Sequence, residues 1–249
     1  MRNEPENALT VAWEGEEYRA EAETLASYIG APVSETRGDG LTLLRNADGL
    51  SLVGYGMTYR GDFEGMLPRI SGGRLFHEML VHIAKTKEEH PTAVDATAGM
   101  GEDSFLLATY GYEVTLCERD PVIAALLADA LRRAENHPIL APIIARMHLV
   151  EGDSIAYLQT LGKSPDLVYL DPMFPERKKS GLIGKKLQLI QKLERPCGEE
   201  DALFAAAMTA HPKKLVVKRP LKGPELAGVR PEYSIKGKAI RYDCFRIVK

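Results

Sequence analysis

Long apolar runs are missing from this chain of 249 residues, and so is any pattern of paired cysteines. No stretch of 18 apolar residues occurs, so no membrane span is expected. The three cysteines, Cys117, Cys197 and Cys244, are odd in number, far apart and without a CxxC, which leaves buried free thiols as the expectation and sets aside a disulfide or a cysteine metal site. His77 and His82 stand five apart, off the i, i+4 spacing of a helical metal pair, and read as surface or satisfied core histidines. No metal is expected. The opening residues MRNEPENALT carry no charged-then-apolar leader, from which a cytoplasmic protein is expected. Repeats and low-complexity segments are also lacking.

What is present is the composition of an ordinary globular protein, 45% hydrophobic and 27% charged. The net charge of −3 hides an asymmetry. Residues 163–249 hold 19 Lys/Arg against 10 Asp/Glu, while residues 1–162 hold 13 against 25. A chain that is acidic first and basic later can offer a basic face to a polyanion without a basic isoelectric point. Ordinary solvated lysines and arginines would give the same count.

The pattern divides the chain. Over residues 1–61, short β-like runs at Leu9–Trp13, Leu41–Leu44 and Leu50–Tyr55 surround a helical stretch at Tyr18–Ile29, giving a small α+β lobe. Residues 71–249 begin with apolar positions at helical spacing (Leu75, Phe76, Met79, Leu80, Ile83) and then alternate. Strands are predicted at Thr92–Asp95, Glu113–Glu118, Met147–Glu151, Leu167–Leu170 and Lys214–Lys218. Between them fall helices at Glu102–Tyr110, Pro121–Glu135, Ser154–Leu161 and Asp201–His211, and two tail strands follow at Glu232–Lys236 and Ala239–Val248. Such alternation predicts an α/β fold with a doubly wound, mostly parallel seven-stranded sheet and its site at the strands' carboxyl ends.

Four segments at those ends carry chemistry. Asp95-Ala-Thr-Ala-Gly99-Met-Gly101-Glu102-Asp103 is a glycine loop opening a helix, and its glycines let backbone approach a ligand. The third glycine of a dinucleotide fingerprint is absent, Ser104 standing in its place. Acids at the helix start favour its dipole, but they would repel a pyrophosphate and suit an ammonium or sulfonium. Glu118 ends the next strand, where an acid meets ribose hydroxyls. Asp153 and Ser154 follow the third strand, within reach of an adenine edge. Three acids at three successive strand tips, one after a glycine loop, read as an adenosyl-sulfonium site. The fourth segment is Asp171-Pro-Met-Phe174-Pro-Glu-Arg177-Lys178-Lys179-Ser, a stiff turn after an apolar strand.

The first loop resembles motif I of class I S-adenosylmethionine-dependent methyltransferases, and Glu118 resembles their motif II acid. Asp171-Pro172-Met173-Phe174 resembles motif IV of the amino-methyltransferases, departing from it at Met173, where a second proline is expected. Together with Cys117–Val122 and Val216–Pro220, these segments resemble the ribosomal RNA small subunit methyltransferase J family over residues 71–249. That resemblance implies S-adenosyl-L-methionine as cofactor, with contacts at Gly99, Gly101, Glu102, Asp103, Glu118, Arg119, Asp153, Ser154 and Asp171. It implies as reaction the methylation of a guanine exocyclic N2 in 16S rRNA, free or within the 30S subunit. Asp171 and the Pro172 carbonyl would then accept the amine's N–H bonds, and Phe174 would stack on an extruded base. Arg177, Lys178, Lys179, Lys185, Lys186, Lys218 and Arg219 would bind phosphates or flank the guanine. Alanine at Lys178, Lys179, Lys185 and Lys186 is accordingly expected to weaken RNA binding and flatten its salt dependence. Nothing in the residues asks for more than a monomer. Motif IV alone also admits DNA adenine or cytosine, or protein glutamine, as acceptor. A nicotinamide-dependent oxidoreductase and a non-catalytic RNA-binding module are the readings from other classes.

Overall fold

A computed structural model describes residues 9–38, 40–172, 189 and 199–246. It contains two sheets. The first joins β1 (Leu9–Trp13), β2 (Val33–Ser34), β3 (Leu41–Asn46), β4 (Gly49–Gly54) and β5 (Met57–Tyr59) in the order β2-β1-β3-β4-β5. Pairs made by β1 are parallel and the β3–β4–β5 meander is antiparallel. Asp48-Gly49 supplies the tight turn between β3 and β4, with Gly49 at φ 112°. The two-residue β2 and the three-residue β5 carry no apolar alternation, and the sequence pattern misses them.

The second sheet has seven strands: β6 (Thr92–Asp95), β7 (Glu113–Glu118), β8 (Met147–Glu151), β9 (Leu167–Leu170), β10 (Lys214–Pro220), β11 (Tyr233–Lys236) and β12 (Ile240–Arg246). Their order is β11-β12-β10-β9-β6-β7-β8. Only β12 runs against its neighbours, pairing antiparallel with β10 and β11. Because both faces are covered, the central strands are apolar throughout, as LVYL in β9 shows. Alternation sends Leu167 and Tyr169 into the core on one face, and Val168 and Leu170 into the core on the other. The chain builds β6, β7 and β8 outward, then crosses back to place β9 on the far side of β6. The crevice of a doubly wound sheet opens at that reversal.

The helix Pro121–Ala134 joins the two sheets. Asp120 caps it, accepting from Val122 N and Ile123 N, with proline at the first turn. Its Val122, Ile123 and Leu126 share a buried cluster with Val11, Leu43 and Leu52 of the first sheet. The connecting segment lies under the glycine loop: a Cβ on Gly61 would stand 2.8 Å from both Ala130 Cβ and Met100 Cε. Phe63 stacks on Phe105 at 5.3 Å between ring centroids. Residues 71–83 form a 3-10 turn, Ser71–His77, and a short helix, Met79–Ile83. Left-handed Gly72 and Gly73 and extended Glu78 divide what apolar spacing alone suggests is continuous, leaving Phe76 exposed.

Candidate active site

The carboxyl ends of β6, β7, β9 and β10 assemble the site. Asp95 ends β6 and is buried; its carboxylate accepts from Ser104 Oγ at 2.6 Å and Thr97 N at 3.1 Å. It thereby ties strand, loop and following helix together. Burial pushes its carboxyl up to about 7, against the lowering effect of those two bonds. A group raised in the fold contributes stability that is complete below its unfolded pKa, ~3.9, and is lost as pH rises through the folded value. Asp95→Asn should therefore gain on the parent by about 3 kcal/mol between pH 5 and 8, followed by urea unfolding. A pH-independent difference would show that Asp95 does not titrate in this way.

Gly99 and Gly101 sit at φ 53° and 76°. A Cβ on Gly99 would meet nothing within 4 Å, so its backbone faces open space, whereas a Cβ on Gly101 would stand 2.9 Å from Leu127 Cδ1 and 3.4 Å from Phe63 Cζ. Gly101→Ala is thus expected to cost about 1–3 kcal/mol in stability and Gly99→Ala only about 1 kcal/mol, a difference that thermal unfolding measures. Glu118 closes this loop from β7, accepting from Gly99 N at 2.9 Å and Asp120 N at 2.8 Å. Burial raises its pKa and these backbone bonds oppose the rise.

On the other side of the crevice, Asp171 follows β9 and its N–H donates to Thr97 Oγ1 at 2.6 Å, which fixes the turn against the glycine loop. Lys218 Nζ lies 2.9 Å from Asp171 Oδ2 and 2.8 Å from Asp103 Oδ2. Tyr169 OH donates to the same Asp103 oxygen at 2.6 Å. Burial disfavours the Lys218 charge, but the two carboxylates outweigh it and hold the ammonium charged. Among the described residues two carboxylates face one ammonium here, an excess of negative charge that suits a ligand bearing a sulfonium and an ammonium.

Other sequence-predicted residues are placed further out. Glu102 is exposed and 3.6 Å from Arg69; Arg119 pairs with Glu199 at 3.2 Å. Asp153 caps the helix Ser154–Gln159 through Ile155 N, so Ser154 is its first residue, and Pro172 is buried. On β10, Lys218 points into the crevice between the Asp103 and Asp171 carboxylates. Arg219 is buried, donating to the Pro224 carbonyl and 3.7 Å from Glu200. Phe174, Arg177, Lys178, Lys179, Lys185, Lys186 and Cys197 lie outside the described residues. Among the described residues, Cys117 and Cys244 are buried free thiols, burial pushing Cys117 up to about 12, and no cluster of three metal-ligating side chains occurs.

Sequence reasoning missed Thr97, Tyr169 and the Asp103–Lys218–Asp171 bridge. The sequence hint was positional. Val217 pairs with Leu170, so Lys218 must stand beside Asp171 once β10 and β9 are neighbours. It also missed Tyr28, whose hydroxyl donates to Glu151 at the tip of β8 at 2.5 Å, bringing the first sheet's helix Arg19–Ile29 to the rim.

A reversal between β6 and β9, an open glycine loop after β6 and a half-buried acid ending β7 define a class I S-adenosylmethionine-dependent methyltransferase. Residues 62–247 match the family model described as "Putative SAM-dependent methyltransferase". The chain is similar to ribosomal RNA small subunit methyltransferase J of Thioalkalivibrio sulfidiphilus, with 39% identity over 95% of this chain and 97% of that protein. The protein of the same name from Pseudomonas fluorescens is 38% identical over 93% and 92%. A crystal structure of a SAM-dependent methyltransferase from Neisseria gonorrhoeae superposes with a TM-score of 0.71 at 33% identity, covering 96% of both chains. The chain belongs to the ribosomal RNA small subunit methyltransferase J family. The cofactor of this enzyme is S-adenosylmethionine.

Proposed function

We propose that the protein transfers a methyl group from S-adenosylmethionine to the exocyclic N2 of one guanine in 16S rRNA, and that Asp171 is the group that makes this amine reactive. The observation that carries the reading is Asp171 itself, pinned through its N–H to Thr97 and through its carboxylate to Lys218, across the crevice from the open glycine loop.

The residues fit the cofactor. Gly99 leaves room for a ligand against its backbone, Glu118 is oriented by two N–H groups to meet ribose hydroxyls, and the Asp103–Asp171 pair supplies the negative potential. Gly101, Glu102, Arg119, Asp153 and Ser154 complete the proposed contacts. The cofactor supplies an electrophilic methyl on a sulfonium. The protein's part is positioning and charge. A guanine N2 lone pair is delocalised into the ring, so the nitrogen must pyramidalise to attack. Asp171 and the Pro172 carbonyl accept its N–H bonds, and those bonds strengthen as positive charge develops on nitrogen, which stabilises the transition state selectively. Lys218, 2.9 Å from Asp171 Oδ2, holds the carboxylate in place as an acceptor. Phe174 is the proposed stacking platform, worth about 1–3 kcal/mol. The Arg177–Lys186 cations are the proposed phosphate contacts.

No described helix is long and apolar enough to cross a membrane. We read the enzyme as a monomer acting in the cytoplasm, where its substrate is assembled. Labelled methyl should enter rRNA but neither duplex DNA nor a glutamine peptide, and S-adenosylhomocysteine but not NADH should raise the melting temperature. Label in DNA or peptide alone would refute the acceptor.

A further inference from the structure

The active-site edge of the sheet carries cations beyond those next to the motif IV turn. Strand register fixes their level. Val217 pairs with Leu170 and Pro220 with Ile240, so β10 and β12 rise past Asp171 on the same edge. Leu221 N–H donates to the Ala239 carbonyl at 3.0 Å, and Gly237 N–H to the Ile240 carbonyl at 2.8 Å. The β11–β12 hairpin tip and residue 222 therefore stand together at the mouth. Three lysines occupy this corner: Lys222 after β10, Lys236 ending β11 and Lys238 at the tip. All three are exposed, and none has an ion pair among the described residues. At ~4.8 Å per strand, β11 lies about 15 Å to the side of β9.

Beneath them runs a groove of about 500 Å³ whose lining includes Pro224, Glu225, Ser234 and Lys236. Its floor is rigid. Buried Arg241 donates to the Pro220 and Gly223 carbonyls and to Asp243, and Ser234 Oγ donates to Asp243. Those charges are satisfied within the fold; Lys236 lines the groove opposite Glu225, with Lys222 between the lining residues Leu221 and Gly223 and Lys238 two positions beyond Lys236.

We propose that this groove docks the sugar–phosphate backbone of the rRNA strand flanking the target guanine, with Lys222, Lys236 and Lys238 as phosphate contacts. The inference rests on the rRNA reading above. A lysine is a compact point charge on a flexible stem, suited to phosphate rather than to planar carboxylate recognition. A groove beside the catalytic acid, one or two nucleotides away along a strand, places that backbone where an extruded base can reach Asp171.

The test is a Lys222→Ala/Lys236→Ala/Lys238→Ala variant and, separately, Glu225→Lys. Fluorescence anisotropy with a labelled 16S rRNA fragment, with S-adenosylhomocysteine present, gives Kd across a salt series. The triple variant is expected to raise Kd about tenfold or more and to reduce the log–log salt slope by about 2, from ~0.7 per lost single-strand phosphate contact. Its kcat at saturating RNA and its affinity for S-adenosylhomocysteine should stay within about twofold of the parent. Glu225→Lys should tighten RNA binding. An unchanged Kd and slope in the triple variant would overturn the proposal even if the parent methylates rRNA, and so would protection of these lysines by an acidic protein but not by RNA. A parent enzyme that binds RNA through these lysines yet methylates none would leave the groove standing and remove the rRNA-methylation reading instead.

Discussion

Replacing Asp171 with alanine is expected to lower kcat by about 10²–10³ while leaving the fold intact, the loss measured when one charge-stabilising hydrogen-bond partner is removed from a transition state. The backbone anchor survives, because Thr97 Oγ1 accepts from the residue 171 N–H and not from its side chain. Lys218 keeps Asp103 as a partner. Circular dichroism and melting should thus stay near the parent, and KM for RNA should move far less than kcat, since the lost interaction grows in the transition state. Single-turnover methyl transfer reads the chemical step directly. Near-normal turnover would remove Asp171 from the mechanism.

Lys218→Met is the second large effect. Its ammonium is mostly buried and holds two carboxylates that are themselves only partly exposed, so its removal leaves two like charges facing one another. Loss of one member of a buried ionic cluster typically costs about 3 kcal/mol. The Asp171 carboxylate also loses the contact that holds it toward the amine, so kcat should fall together with stability. Asp103→Asn in the same background should restore part of the stability by removing the repulsion. Melting curves and single-turnover rates on the single and double variants test this; a Lys218→Met enzyme with parental stability and rate would show that the bridge has no energetic role.

The catalytic sheet was legible because its strands carry their own signals. Leu167–Leu170, Glu113–Glu118 and Thr92–Asp95 are short apolar runs bounded by glycine, proline or acid, and each matches the observed strand. Boundaries were softer where a signal was shared: β10 continues through Pro220, whose missing N–H is tolerated at the strand's end. β2 and β5 escaped because two or three residues cannot display alternation. In the site, Gly99, Gly101, Glu118 and Asp171 could be named because local geometry demands those residue types. Partners brought together by strand order could not. Asp103 and Lys218 are 115 positions apart, and Tyr169 reads as an ordinary core aromatic until its hydroxyl is seen on Asp103. Burial is equally hidden: Arg219 looks like a surface cation beside Lys218, yet strand alternation turns it inward to the Pro224 carbonyl.

The most direct test of the central claim is transfer of labelled methyl from S-adenosylmethionine to unmodified 30S subunits and to free 16S rRNA, followed by digestion to nucleosides. Label in N2-methylguanosine, absent with the Asp171→Ala enzyme, is the predicted result, and the ratio between the two substrates identifies the assembly stage. Label in any other nucleoside, or none in either RNA from an enzyme that still binds S-adenosylhomocysteine, would contradict the account.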